Sequence, residues 1–60
     1  MPQRLKKAIH ALTNTMQVVL SAIEEEEFEL ALKSTRRAVN QLDGIRELIG
    51  MLQASTERRD

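Results

Sequence analysis

The spacing of apolar side chains is the feature that most restricts what this chain can fold into. Leu5, Ile9, Leu12, Met16, Val19 and Ile23 are separated by 4, 3, 4, 3 and 4 residues. Phe28, Ala31, Thr35, Ala38, Leu42, Ile45, Ile49 and Leu52 follow at 3, 4, 3, 4, 3, 4 and 3. Alternating steps of three and four align side chains along one stripe of an α-helix, and the period of two that marks a strand fits neither segment. The phase slips between Ile23 and Phe28, where "EEEE" stands in place of the next stripe residue. The chain therefore reads as all-α. Helix one is expected over about 3–23, a tight connection at about 24–27, helix two over about 28–53, and a frayed tail at 54–60. A single bent helix is the alternative, and the slip in phase favours an antiparallel two-helix hairpin. Pro2 suits a helix start, because its missing N–H is not needed in the first turn.

Size then bears on assembly. A chain of 60 residues buries only about 60% of its unfolded surface, so a monomer alone is marginal. Small domains add disulfides, a metal or a partner chain. Cysteine is absent and there is one histidine, which removes disulfides and leaves no zinc set. Oligomerisation remains. A second apolar set widens the stripes: Ala8, Leu20 and Ala22 on helix one, Leu32, Val39, Leu48 and Met51 on helix two. One hairpin cannot cover stripes that wide, whereas two hairpins pairing as a four-helix bundle would. The expected architecture is a homodimer of hairpins.

Charge narrows the function classes. Nine basic and nine acidic residues balance, so no large field favours nucleic acid or a membrane surface. The single Phe, with no Trp or Tyr, argues against base stacking. No apolar run is long enough to cross a bilayer and no signal peptide is visible, so a cytoplasmic location is expected. The distribution is uneven. Residues 1–23 carry Arg4, Lys6 and Lys7 with no acid, and Glu24, Glu25, Glu26, Glu27 and Glu29 follow almost without a break. The plain reading of that run is a solvated helix end and turn. No Ser/His/Asp set, paired carboxylates or metal cluster is present, which argues against an independent hydrolase, and no metal or cofactor is expected. Gly44 and Gly50 fall inside helix two, each costing about 1 kcal/mol against Ala, and they form no phosphate loop.

His10 is the one residue with obvious chemistry. With Ile9, Met16 and Ile23 at heptad position a and Leu5, Leu12 and Val19 at d, His10 falls at b and Asn14 at f. Gln3, Lys7, His10, Asn14, Gln17 and Ser21 make an outward polar stripe, so His10 is not a core histidine. An exposed imidazole is a usable nucleophile near neutral pH, and it is equally an ordinary surface side chain. The local word "HALTNTMQVV" resembles the phosphoacceptor box of sensor histidine kinases, in their dimerisation and histidine phosphotransfer domain. The box runs His, three residues, Asn, one residue, Leu or Met, Gln, Val, then Ile or Val. Here those places hold His10, Asn14, Met16, Gln17, Val18 and Val19. The likeness covers roughly residues 5–52, but only the ten-residue box is specific.

The resemblance implies that His10 accepts a phosphoryl group and passes it to an aspartate of a response-regulator receiver domain. It implies that Asn14 orients the imidazole or a water, with an amide that both donates and accepts. Thr13 would support, Lys7 would help neutralise phosphate, and Ala11, Val18 and the outer part of helix two would receive the partner. Two departures stand out. Many members carry an acid directly after the histidine, where this chain has Ala11. The chain also contains no ATP-binding domain, so a separate kinase ATP-binding domain would have to supply phosphate. The competing readings are a non-catalytic helical dimerisation module and a small adaptor that binds another protein.

Overall fold

A computed structural model describes residues 2–57 of the chain. Two helices, α1 (Gln3–Glu24) and α2 (Phe28–Glu57), pack against each other as a hairpin about 52 Å long. There is no strand among the described residues. α1 starts at Pro2, whose carbonyl accepts the Lys6 N–H at 3.0 Å. Its charges oppose the helix dipole at both ends: its first turn holds no acid and its last turn no base. Basic residues near an N-terminus and acidic ones near a C-terminus are unfavourable, so α1 depends on packing for its stability. α2 begins better, with Glu29 in its first turn. It continues through Glu57, where a frayed tail was expected from residue 54; the rest of that tail, 58–60, lies outside the described residues.

The turn is built without glycine or proline. Glu26 takes a left-handed φ of 59°. Its N–H bonds to the Ile23 carbonyl at 3.1 Å, and the Glu27 N–H bonds to that of Ala22 at 2.8 Å. These two bonds close α1 as a Schellman motif, with Glu26 where glycine usually stands. The Glu27 carbonyl then accepts the first bond of α2, from Ala31 at 3.0 Å.

The seam between the helices differs from the stripe expected on spacing. On α1 the buried or half-buried line is Leu5, Ala8, Leu12, Thr15, Val19 and Ala22; on α2 it is Ala31, Ser34, Ala38, Gln41, Ile45 and Leu48. Half of each expected stripe survives: Leu5, Leu12 and Val19 on α1, Ala31, Ala38 and Ile45 on α2. The rest is displaced by one residue, with Ala8, Thr15 and Ala22 replacing Ile9, Met16 and Ile23, and Ser34, Gln41 and Leu48 replacing Thr35, Leu42 and Ile49. The physical reason is size. Cα atoms of the two helices come within 8 Å of each other along the seam, and small side chains permit that approach while large ones turn aside. Heptad labels shift with the seam. His10 moves from b to f and Asn14 from f to c, both still pointing away from α2.

The large side chains stand one step round. Met16, Leu20 and Ile23 on α1, and Phe28, Leu32, Val39, Leu42 and Ile49 on α2, are each 50–64% exposed. Every one of these lines follows its seam by one residue in sequence. Because the helices run antiparallel, that step turns both lines toward the same face of the hairpin. The buried apolar residues are only Ala22, Ala31, Ala38 and Ile45, and no large side chain among the described residues is fully buried. A Cβ added at Gly44 or Gly50 would meet nothing within 4 Å, so neither glycine serves close packing within the chain.

Candidate functional site

α1 carries both residues singled out from the sequence. Ala8, Leu12 and Thr15 fix its rotation against α2, which leaves His10 and Asn14 exposed. They lie four residues apart, so their Cβ atoms are about 6 Å from each other on the helix surface. His10 lines a shallow depression with Gln3, Lys6 and Ile9. The cation beside the imidazole is thus Lys6, one full turn before it, and not Lys7.

Asn14 opens to the other side. It lines one shallow depression with Gln17, Val18, Ser21 and residues of the turn, and a second with Ala11, Thr15, Val18, Arg37 and Gln41. No single cavity holds both His10 and Asn14. Their proximity is that of neighbours on a helix surface, suited to meeting a partner and not to enclosing a small molecule.

The threonines around them are committed to the backbone. The Thr13 hydroxyl donates to the Ile9 carbonyl at 3.0 Å, and the buried Thr15 hydroxyl donates to that of Ala11 at 3.1 Å. That local bond satisfies Thr15 in the seam and occupies the Thr13 hydrogen, leaving Thr13 little to offer His10.

Arg37 is the residue that spacing along α1 did not bring forward. It sits across the groove from Asn14, beside Ala11 and Val18, and offers a fork of donors suited to phosphate or carboxylate. The signal for it was its distance from the turn, legible once the hairpin register is known. Gln41 borders the same groove, and its side-chain carbonyl is buried without a hydrogen-bond partner.

The arrangement supplies an accessible nucleophile, an amide one turn on, and two nearby cations, Lys6 and Arg37. No acid precedes Glu24 in the chain, so no carboxylate of α1 stands within a turn of the imidazole to take its proton. Among the described residues no three His, Cys, Asp or Glu side chains gather as a metal would require, and no helix is long and apolar enough to cross a membrane. No protein-family model, curated protein or solved structure matches the chain.

Proposed function

We propose that this chain is a cytoplasmic histidine phosphotransfer and dimerisation module of a two-component relay, with His10 as phosphoacceptor and Asn14 as its assistant. The observation that carries the reading is that the residues of the box lie on the first helix of a hairpin, with His10 and Asn14 exposed and off the seam. A nitrogen of the His10 imidazole attacks the γ-phosphorus of ATP held by a separate kinase domain. The bond to the ADP oxygen breaks, ADP leaves, and the ring N–H proton passes to solvent. A receiver aspartate then attacks the same phosphorus, the N–P bond breaks, and His10 recovers its proton. Receiver docking over Ala11, Val18 and Arg37 brings Asn14 beside the transferring group.

Dimerisation is the second half of the proposal. On each helix the strongest apolar stripe does not aim at the partner helix. It bisects the angle between the seam and the open face, taking Leu5, Leu12 and Val19 from one and Ile9, Met16 and Ile23 from the other. A helix in a lone hairpin points its stripe across the seam, whereas a helix in a four-helix bundle points it at the bundle axis. This same observation favours the second reading, a dimerisation module without chemistry, which needs nothing from His10.

Phosphoryl transfer separates the two. The purified chain is incubated with a phosphorylated receiver domain, or with a kinase catalytic fragment and ATP. Acid-labile, base-stable label on the wild type and its loss in His10→Gln, with helicity and mass unchanged, is the expected result. No label from several donors on a folded dimer would leave the non-catalytic module.

A further inference from the structure

We infer that the second copy covers the open apolar face head to tail, the turn of one hairpin lying against the open end of the other. The inference rests on the dimer proposed above and adds its orientation. The open face is not uniform along its length. Toward the turn it is apolar, through Leu20, Ile23, Phe28 and Leu32, and it ends at the acidic tip of Glu24–Glu27 and Glu29.

Toward the open end the same two lines reach Lys6 on α1 and Arg46 on α2, each three or four residues beyond an apolar member of its line. Lys6 lies twenty residues before Glu26 and Arg46 twenty after it, so an antiparallel hairpin places the two cations side by side. One end of the face is thus bordered by a basic pair and the other by five carboxylates.

The two ways of stacking the faces differ in sign. With both turns at one end, the acidic tips meet each other, and Lys6 and Arg46 meet their own copies. With the turns at opposite ends, each basic pair comes level with the partner's acidic tip, and both contacts are attractive. Like charges brought together at an interface disfavour that arrangement, while opposite charges fix orientation. Head-to-tail stacking also keeps the apolar part of each face against the apolar part of its partner near the middle of the bundle.

The chain has no cysteine, so a single Glu25→Cys variant carries one nitroxide per chain at the turn, and dipolar electron resonance reads the distance between the two. α1 has 22 residues, which at 1.5 Å per residue makes it about 33 Å long. A separation of about 30 Å or more is expected, whereas stacking with both turns at one end gives less than about 20 Å, set by helix packing distances and the label arms. The short distance would overturn the orientation and leave the dimer standing; the absence of any dipolar coupling would overturn the dimer as well.

Charge gives an independent reading with opposite signs. Raising salt from low to high should weaken a head-to-tail dimer by roughly 2- to 10-fold, and Arg46→Glu should weaken it further. Tightening in both cases would contradict the inference. Phosphoryl transfer to His10 is measured separately and does not depend on this orientation.

Discussion

The hairpin has small side chains on the inside and large ones on the outside. Its seam near the turn is Thr15, Ala22, Ala31, Ser34 and Ala38, all but shielded from water, while the open face presents Leu20 at 60%, Phe28 at 61% and Leu32 at 64% exposure. Burial of apolar area is the main favourable term in folding, and here the residues with most to contribute are the ones left open by a single chain. A monomer rarely shows so large a contiguous apolar surface without a partner. The seam sets how the helices meet, and the open face holds the larger share of the stabilisation available. The two regions therefore do different jobs, and substitutions in each should fail in different ways.

The largest effect is expected on the open face. Replacing Leu32 and Leu42 together by Lys removes two leucines per chain, hence four in a twofold dimer. At about 1.5 kcal/mol or more per buried leucine, the loss is on the order of 6 kcal/mol. Sedimentation should then report the monomer mass, and circular dichroism should report reduced helix, because a lone hairpin of this size is marginal. Full helicity and an unchanged mass would mean that the open face contributes nothing.

A matched pair sharpens the comparison. Ile45 is 7% exposed in the seam, and Leu42, three residues away, is 50% exposed on the open face. Ile45→Ala should cost about 2–5 kcal/mol by chemical denaturation. If the open face is covered in the dimer, Leu42→Ala falls in the same range and its cost depends on protein concentration. If the hairpin is the whole folding unit, Leu42→Ala costs much less than Ile45→Ala at every concentration.

The smallest effect lies in the turn and touches neither region. Glu26 holds a left-handed φ of 59°, a conformation that costs an ordinary L-residue about 1 kcal/mol and glycine almost nothing. Glu26→Gly should therefore raise the thermal midpoint by a few degrees, consistent with about 1 kcal/mol in so small a domain. A loss of stability would show that the Glu26 side chain makes a contact the backbone geometry does not require.

Much of the fold was legible in the sequence because helical spacing survives whichever face is buried. The two helices and the place of the turn follow from steps of three and four and from one slip in phase. The register was not legible, for a specific reason. Leu5, Leu12 and Val19 belong to two overlapping stripes, one completed by Ile9, Met16 and Ile23 and the other by Ala8, Thr15 and Ala22. Hydrophobicity selects the first, while close approach of two helices selects the second, and a ranking by hydrophobicity has no term for how near the backbones come. The exposure of His10 could be read in advance, since it falls off both stripes. Its neighbour Lys6 could have been read from the four-residue step. Arg37 could not, because its place across the groove from Asn14 depends on the pairing of α1 with α2.

Sedimentation equilibrium of the unmodified chain, followed across the micromolar range alongside its helical circular dichroism, tests the division between seam and open face most directly. The expected result is a species of twice the 6.9 kDa chain mass, whose dissociation on dilution is accompanied by loss of helix. A species of 6.9 kDa that keeps its full helical signal throughout would contradict it.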